Sequence, residues 1–425
     1  MKRGISLYNT SSTNPTGKKG TRCLICTGCG RCPGVIRGMQ VVTEKLELPP
    51  LTLQNPDGKR LMTVDIGTTT IAMQLYDMTG KVVDSFPSVN PQVSYGADVL
   101  SRIEAAKDPG KAADMQKKVR DLMEKGVQRF SKKLQSQETL QMVVAANTTM
   151  TYLFMGWNPE ELGKAPFTVS HSGAVETEIA GVACHIIPGL SAFVGGDITA
   201  GILASGMLEQ EASTLLIDLG TNGEMALGNR HRLHACATAA GPAFEGGANR
   251  GIWGADMVRL LQKLLEEGLM DGQGLLKEPY FTKGVRIGDV LVTKESVRAV
   301  QLAKGAIAAG IEILADSYGI RFSDISKVVL AGGFGYYLDP KAAVAIGLLP
   351  EELADCTVTG GNTALSGAAM VGSRILTAGG KQTAEGTLPD GGDDLRKRQE
   401  LQIRILNLAE EEKFPETFLT KINFN

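Results

Sequence analysis

One pattern of strands and turns occurs twice in this chain, and the repeat limits the folds that are open to it. The first copy begins at Leu61 and reads LMTVDIGTTTIAMQLYDMTGKVVDSF; the second begins at Ser213 and reads STLLIDLGTNGEMALGNRHRLHACA. Each copy predicts strand, tight turn, strand, turn and strand, and in each the first strand ends in Asp-x-Gly-Thr. The two aspartates, Asp65 and Asp218, are about 150 positions apart, which is the length of a typical domain. The sequence therefore predicts two similar domains whose turns face each other.

The sequence after Leu61 is typical of a mixed α/β protein. Short β-branched runs alternate with amphipathic segments, and the spacing of apolar residues predicts helices over 112–130, 256–267 and 294–315. With 425 residues, 43% hydrophobic and 21% charged, the chain has room for two or three domains and differs from a coiled coil or a mainly disordered protein. Its 51 glycines indicate many tight turns or close backbone approaches.

Both Asp-x-Gly-Thr turns carry groups that bind phosphate. A glycine-rich turn exposes backbone N–H groups, and threonine hydroxyls add donors. Asp65 and Asp218 are predicted to hold Mg²⁺ through water, because Mg²⁺ keeps several waters in phosphate sites. The predicted phosphate ligands are Gly67, Thr68, Thr69 and Thr70 in the first turn and Gly220, Thr221, Asn222 and Gly223 in the second. The chain has neither G-x-x-x-x-G-K-S/T nor a G-x-G-x-x-G after a strand, which argues against P-loop and Rossmann sites.

Three further segments place glycine or polar residues directly after an apolar strand. Their candidate ligand-binding residues are Asn147 and Thr148, then Gly332, Gly333 and Phe334, and finally Gly361 and Asn362. At each of them a ligand could meet bare backbone at the end of a strand. Taken alone, each also fits an ordinary strand-to-helix turn.

Together, these five segments resemble the phosphate, connecting and adenosine motifs of the superfamily of acetate kinase, sugar kinases, heat-shock cognate proteins and actin (ASKHA). The resemblance implies two ribonuclease H-like domains that close on ATP, preceded here by a small cysteine-rich segment. Within the superfamily, VGGDITAG from Val194, AAGPAFEGG from Ala239 and LNLAEEEKFPETFLTKINF from Leu406 resemble the ATP-dependent reductive activators of corrinoid proteins. This resemblance covers residues 61–425.

The resemblance implies an ATP-hydrolysing activase that helps an electron reach an inactive Co(II) corrinoid and returns it to Co(I). The implied partners are a corrinoid protein or corrinoid-dependent methyltransferase and a low-potential electron donor protein. Asp65 and Asp218 would position Mg²⁺ and the attacking water, and Asp197 would reach the γ-phosphate or this water. Asp197 equally fits the N-cap of a helix over ITAGILASG. By the same resemblance, the loop over 236–247 would approach the cobalt or the partner.

The amino-terminal part departs from several members of that family, because the plant-type ferredoxin domain and linker known from them are missing. The sequence instead has Cys23, Cys26, Cys29 and Cys32, whose spacing comes close to the bacterial ferredoxin run C-x2-C-x2-C-x3-C-P. Thiolates three residues apart can wrap one cubane, so a 4Fe–4S cluster is the favoured interpretation. Zinc and loose or disulfide-linked thiols are the alternatives. As in two-cluster ferredoxins, one cysteine could go unused or bind across a homodimer.

Charge is unevenly distributed along the chain. Seven basic residues and no acidic residue precede Glu44, whereas the whole chain has a net charge of −2. The balanced total argues against nucleic-acid binding. The absence of a signal peptide and of ~18 consecutive apolar residues predicts a cytoplasmic protein with no membrane partner. The basic amino terminus would favour a reduced cluster and attract an acidic donor protein, or it is a solvated tail.

The predicted organisation comprises a cluster-binding segment over 1–46, a linker over 47–60, ATPase subdomains over 61–210 and 211–378, and a tail over 379–425 that packs back on the core. Cys184, Cys236 and Cys356 are predicted to be structural, and the four histidines show no metal-ligand spacing.

Three other functions would share the cleft. A kinase of sugars or short acids has no use for the cysteine segment, so iron content separates it from the redox function. An activator of 2-hydroxyacyl-CoA dehydratases takes its cluster cysteines from within the fold. A non-enzymatic ATP switch would polymerise or bind peptides.

Overall fold

The computed structural model describes residues 35–36, 39–40, 51, 53, 57–220, 222–244, 254–287, 290–377, 394–398 and 400–425. Thr221, the four clustered cysteines and the end of the 236–247 loop lie outside these residues, and what was predicted for them stays a prediction.

The described residues contain two six-stranded sheets and two short hairpins. The strands are β1 (Val35–Ile36), β2 (Met39–Gln40), β3 (Lys59–Ile66), β4 (Thr70–Tyr76), β5 (Val82–Val89), β6 (Thr139–Ala146), β7 (Val175–Ile179), β8 (Val182–Ile186), β9 (Ser213–Leu219), β10 (Gly223–Gly228), β11 (Arg232–Thr238), β12 (Val285–Ile287), β13 (Val290–Val292), β14 (Ile325–Ala331), β15 (Thr357–Gly361) and β16 (Gln402–Leu406). The α-helices are α1 (Val99–Ala106), α2 (Pro109–Ser131), α3 (Thr148–Met155), α4 (Gly196–Ser205), α5 (Gly254–Glu266), α6 (Tyr280–Lys283), α7 (Lys294–Tyr318), α8 (Gly332–Gly335), α9 (Pro340–Ala345), α10 (Thr363–Thr377) and α11 (Phe414–Lys421).

Five strands of each large sheet follow the same order, and the sixth strands, β7 and β16, lie at opposite edges. The first runs β5–β4–β3–β6–β8–β7, in which β3 to β5 form an antiparallel meander and β6 lies parallel to β3. The second runs β15–β14–β9–β10–β11–β16, in which β9 to β11 form the meander and β14 lies parallel to β9. The predicted duplication and the mixed α/β class are therefore confirmed. β3 begins at Lys59, two residues before the predicted strand.

Two helices fill the layer between the sheets. α10 packs on β3 and β6 of the first sheet, and α4 packs on β6 of the first sheet and on β9 and β10 of the second. The helices cross so closely that a Cβ atom placed on Gly367 of α10 would lie 2.0 Å from the carbonyl oxygen of Ala200 in α4. The shared apolar core of this layer includes Leu61, Val143, Ile198, Ile202, Leu216, Val329, Ala368 and Val371.

The outer face of each sheet is covered by a long amphipathic helix. α2 covers the first sheet through Met115, Val119 and Met123, and α7 covers the second with Ile307 and Leu314. The predicted helices over 112–130 and 294–315 are confirmed, and α7 continues to Tyr318. The helix predicted over 256–267 is α5, which ends one residue earlier.

The end of the chain packs on the second half of the molecule. β16 lies parallel to β11 at the sheet edge, and α11 packs on α7. Phe424 is buried, and its N–H donates to the Gly272 carbonyl at 2.7 Å. The buried Lys304 of α7 donates to the carbonyl of Asn423. Of the helices in the described ranges, none combines the length and the apolar character needed to cross a membrane.

Candidate functional site

The strand period places three acidic side chains in the layer between the sheets. Alternate residues of a strand face opposite sides. On β3, Leu61 faces the central layer, so Asp65 faces it as well. On β9, Leu216 marks the same face as Asp218. Glu224 lies on β10 directly opposite Asp218 in the antiparallel register. Asp65 comes from the first strand–turn repeat, and Asp218 and Glu224 come from the second.

The two central helices begin at these carboxylates. Asp197 lies in the first turn of α4, and its Oδ1 accepts a hydrogen bond from the Ile198 N–H at 2.8 Å. Asn362 directly precedes α10: its Oδ1 accepts from the Leu365 N–H at 2.8 Å, and its Nδ2 donates to Asp65 Oδ2 at 2.7 Å. Because helix amino termini carry partial positive charge, the site has two termini suited to an anion.

The alternative role of Asp197 as an N-cap is wrong. The N-cap residue of α4 is Gly195, which has extended backbone, and Asp197 follows two positions later. A Cβ atom on Gly195 would lie 2.5 Å from the Cα atom of Asn147, so the glycine lets this turn pack on the turn after β6. The close packing leaves no room for a capping side chain at position 195.

Burial raises the pKa of every carboxyl group in the cluster, and repulsion by neighbouring carboxylates adds to this for Asp65, Asp218 and Glu224. Burial raises the pKa of Asp65 to about 7. The hydrogen bond from Asn362 lowers this pKa, and repulsion by Asp197 raises it. Burial, then Asp197 and Asp65, raises the pKa of Asp218 to about 8. Burial raises the pKa of Asp197 to about 6, although the Ile198 N–H opposes the shift. Glu224 has its pKa raised well above its usual value by burial, Asp197 and Asp218.

This donor set fits Mg²⁺. Clustered carboxylates that repel one another gain from a hard cation with oxygen ligands. Within the described ranges, no three His, Cys, Asp or Glu side chains stand together as a ready metal cage. The cluster therefore fits a hydrated ion held largely through water, as Mg²⁺ is usually held beside phosphates, better than a fully protein-bound ion.

The turn after β14 lies against Asp218. Gly332 has a φ of +81°, and a Cβ atom on it would lie 2.4 Å from Asp218 Oδ1. Two residues on, Phe334 is buried and stacks on Phe244 with ring centroids 4.2 Å apart. Gly332 thus keeps this turn close to the acidic cluster, and the aromatic stack joins it to the short turn over Pro242–Phe244.

Hydrogen bonds close both Asp-x-Gly-Thr turns and connect the first to its neighbours. Gly67 N–H donates to the Thr70 carbonyl at 2.9 Å, and Gly220 N–H donates to the Asn222 carbonyl at 3.0 Å. Asn147 caps α3 and donates to Thr68 Oγ1 at 3.0 Å. The hydroxyl of Thr148 donates to the Ser191 carbonyl, in the loop before α4, at 2.6 Å.

The structure brings most of the predicted site residues to one end of the central layer. Those lying at strand ends, in the adjoining turns or in the first turn of a following helix are Asp65, Gly67, Thr68, Thr69, Thr70, Asn147, Thr148, Asp197, Asp218, Gly220, Asn222, Gly223, Gly332, Gly333, Phe334, Gly361 and Asn362. Within this set, Thr68 and Thr148 are buried, and their hydroxyl groups bond to protein atoms.

Two residues of the site were not predicted. Glu224 is buried, and its Oε1 accepts from Asn222 Nδ2 at 3.2 Å. A carboxylate in the otherwise apolar strand GEMALG was the available signal, since buried acids are rare. Asn90 is buried and donates to the Gly67 carbonyl at 2.8 Å. Nothing in its sequence neighbourhood indicates this contact.

The described cysteines and histidines lie away from this cluster of acids. Cys184 and Cys236 are buried, and burial raises the pKa of Cys236 to about 12. Cys356 donates to the Leu353 carbonyl. His234 is buried beside Tyr318, and burial, with a contribution from Arg232, lowers its pKa to about 4. These environments fit structural roles.

Two sheets that share a five-strand order, two helices packed between them and acids near the amino termini of these helices define a domain of the ASKHA class. The family description "RACo middle region" matches residues 61–210, and "C-terminal domain of RACo the ASKHA domain" matches residues 212–250 and 248–377. The chain belongs to the RACo family of corrinoid reductive activators, so the resemblance seen in the sequence is confirmed.

Named relatives agree with this family. The corrinoid activation enzyme RamQ of Eubacterium limosum is 32% identical over 356 residues, which is 68% of this chain and 60% of RamQ. A reductase of Methanosarcina barkeri for the Co(II) methylated amine-specific corrinoid protein is 27% identical over 235 residues, 43% of either protein. The solved structure of a reductive activator for corrinoid, iron–sulfur protein superposes with a TM-score of 0.73 at 27% identity, covering 87% of this chain and 67% of that one. The chain thus spans 60% and 43% of the two curated relatives.

Proposed function

We propose that this protein couples ATP hydrolysis to the one-electron reduction of a protein-bound corrinoid from Co(II) to Co(I). The observation that carries the proposal is the cluster of Asp65, Asp197 and Asp218 at the amino termini of α4 and α10, in a chain of the RACo family. An uphill one-electron transfer costs about 1.4 kcal/mol for every ~59 mV, so a strongly reducing product gives ATP coupling a physical purpose.

In this proposal, each part of the site has a separate task. Asp65 and Asp218 hold hydrated Mg²⁺ between the sheets, and the ion, when bound, neutralises phosphate charge. The N–H groups of the two turns, with Thr69, Thr221 and Asn222, hold phosphate oxygens. The γ-phosphate or the attacking water lies near Asp197. The turn at Gly332 accommodates the adenosine.

The hydrogen bond between Asn362 and Asp65 supports a coupling role for the central helices. It joins the start of α10 to the first turn, while α4 carries Asp197 in its first turn and packs on both sheets. Nucleotide bound between the turns would shift both helices together, and the sheets with them. Such closure would present a different surface to the corrinoid protein when ATP is bound.

A reduction assay tests the proposed function. The protein, ATP, Mg²⁺ and a low-potential reductant would be combined anaerobically with a Co(II) corrinoid protein. The methylated amine-specific protein and the corrinoid, iron–sulfur protein are the two substrates to compare. Formation of Co(I), followed by absorbance, should require hydrolysable ATP. ATP hydrolysis without Co(I) formation from either substrate would contradict the proposal.

Electron entry is proposed to take place at a 4Fe–4S cluster on Cys23, Cys26, Cys29 and Cys32. We expect about four irons per chain in anaerobically purified protein and a paramagnetic signal on reduction. Cys26→Ser should lose the signal and Co(I) formation but keep ATP hydrolysis. Cys356→Ser is the matched control. Zinc alone, or an unchanged signal in the Cys26 variant, would exclude this entry site.

Glu224 is expected to assist hydrolysis, because it lies opposite Asp218 and accepts from Asn222. Glu224→Gln retains an oxygen acceptor for Asn222 but removes the carboxylate. We predict that ATP binding changes by less than about threefold and that kcat for hydrolysis falls by about 10- to 100-fold. Nucleotide titration and steady-state hydrolysis measure the two quantities. An unchanged kcat would limit Glu224 to a structural role.

The remaining parts of the proposal concern organisation and partners. Four points stay predictions: the domain boundaries at 61–210 and 211–378, a cytoplasmic location, an electron donor protein of low potential, and a homodimer that shares cluster ligands. Sedimentation of the wild-type protein, with and without the cluster, measures whether the homodimer forms.

A further inference from the structure

A surface that combines positive charge with apolar side chains lies on the second half of the molecule, and we call it the basic patch. Its exposed cations are Lys277, Lys283, Arg286, Lys294 and Arg298. The exposed apolar residues among them are Leu275, Phe281, Leu291 and Leu302, which are 40–52% accessible. We propose that the basic patch is the docking surface for an acidic face of the corrinoid protein, an inference that rests on the proposed function.

The residues of the basic patch are contiguous. Lys294 Nζ lies 5.6 Å from the centre of the Phe281 ring. Arg286 of β12 is the register partner of Leu291 in β13, so both lie on one short hairpin. Gln301 donates from its side chain to the Gln273 carbonyl at 2.8 Å, which places the loop before Leu275 against α7. The helix with Phe281, the hairpin and the loop before Leu275 therefore lie around the amino-terminal half of α7.

The basic patch lies at the nucleotide end of the sheet. Ile307 of α7 covers Gly223, the first residue after the second phosphate turn: a Cβ atom there would be 3.1 Å from Ile307 Cγ1. Three residues further along α7, Gly310 lies over Met225. From Ile307 onward, α7 therefore runs along the sheet away from the second phosphate turn. Lys294 is thirteen residues before Ile307, or about 20 Å along the helix at ~1.5 Å per residue. The start of α7 thus extends past the phosphate turn, on the side where ATP is proposed to bind.

The charges of the basic patch are available for a partner. None of its five cations lies within 4.0 Å of an acidic oxygen of the described residues. Asp289 lies outside the described residues. Glu278 and Glu295 are the described acids between positions 275 and 302; a hydrogen bond from Thr293 lowers the pKa of Glu295, and the neighbouring Lys294 contributes electrostatically. By contrast, cations such as Lys107, Lys117 and Arg321 are paired on the surface.

The positive charge of the basic patch indicates which partner binds there. Residues 1–43 are themselves basic, with seven cations and no acid, so the amino-terminal segment of this chain would be repelled. Exposed Phe281 and Leu291 among the cations favour a protein face with an apolar centre over a nucleic-acid backbone. Apart from the basic amino-terminal segment, the chain is net acidic, since its total charge is −2 with the seven amino-terminal cations included. Within residues 44–425, an acidic partner would therefore be steered to this patch.

The test reverses the charge of the patch. The triple variant Lys277→Glu, Lys283→Glu and Lys294→Glu would be compared with Lys111→Glu, Lys125→Glu and Lys132→Glu, which lie exposed on or beside α2 of the first half. Co(I) formation would be measured against corrinoid protein concentration at several salt concentrations. The patch variant should raise KM at least about tenfold and lose its salt dependence, while kcat and ATP hydrolysis without partner stay unchanged. The α2 variant should behave as wild type.

A second variant tests the apolar part without changing charge. Phe281→Ser combined with Leu291→Ser should also raise KM with unchanged ATP hydrolysis. An unchanged KM in both patch variants, an equal effect in the α2 variant, or salt-sensitive binding of a DNA duplex to the patch would overturn the docking proposal, with the wild type still active. A wild type inactive toward both corrinoid proteins would overturn the proposed function and this assignment with it.

Discussion

Asp218→Asn should abolish the reaction while leaving the fold intact. We expect ATP hydrolysis and ATP-dependent Co(I) formation to fall by about a thousandfold or more, because an amide cannot supply the negative charge that holds hydrated Mg²⁺ beside the phosphates. The near-isosteric side chain suits the tight space between Asp218 and Gly332, where an added Cβ atom would come within 2.4 Å of the carboxylate. Steady-state hydrolysis and Co(I) absorbance are the measurements.

The stability of the same variant separates loss of chemistry from loss of structure. Burial and two neighbouring aspartates raise the pKa of Asp218 to about 8, so without a cation this group is costly to ionise in the folded protein. The asparagine variant should therefore have a Tm equal to or above that of the wild type in the absence of nucleotide. Asp121→Asn, on the exposed face of α2, is the matched control. Hydrolysis within tenfold of wild type would show that Asp218 is not needed for catalysis.

Gly367→Ala should destabilise the protein by about 3 kcal/mol or more. Alanine in a helix interior normally stabilises by about 1 kcal/mol relative to glycine. At Gly367, however, the new methyl group would lie 2.0 Å from the Ala200 carbonyl oxygen and 2.6 Å from the Ala200 Cα atom. These are backbone atoms, so α4 and α10 must separate, and the core between the sheets loses contacts.

Denaturant unfolding measures this effect. Gly173→Ala is the control, because a Cβ atom at Gly173 meets nothing within 4 Å. We also expect the Gly367 variant to lose ATP hydrolysis in the fraction that folds, since Asp197 lies in the first turn of α4 and Asn362 directly precedes α10. A stability within 0.5 kcal/mol of wild type, the usual range for a neutral surface change, would mean that the crossing adapts without cost.

Local patterns in the sequence predict the strands and turns of this fold but not how its halves are joined. The repeated turns identify Asp65 and Asp218, because a strand, an acid and a glycine turn are contiguous in sequence. The packing of α10 on the first sheet and of α4 on both sheets depends on contacts between distant segments, which periodicity does not encode. β16 was likewise predicted only as part of a tail, since its partner β11 lies far away along the chain.

The same distinction applies to the site. Asn362 was predicted to bind nucleotide from its position after a strand, but its bond to Asp65 joins positions 297 apart. Glu224 could be noticed only as a buried acid in an apolar strand, and its role depends on the register that places it opposite Asp218. Sequence therefore predicts which residue types gather at the strand ends, while their mutual distances follow from tertiary packing.

The packing of α10 on the first sheet has a consequence for synthesis of the protein on the ribosome. The inner face of the first sheet, with Leu61 and Val143, is covered largely by α10, whose residues are translated near the end of the chain. Until then, the nascent first half leaves most of this apolar face uncovered, and Asp65 lacks Asn362. Because domains usually fold as they emerge, this protein is expected to depend on chaperones during most of its translation. The nascent chain should bind nucleotide only after α10 has left the ribosome.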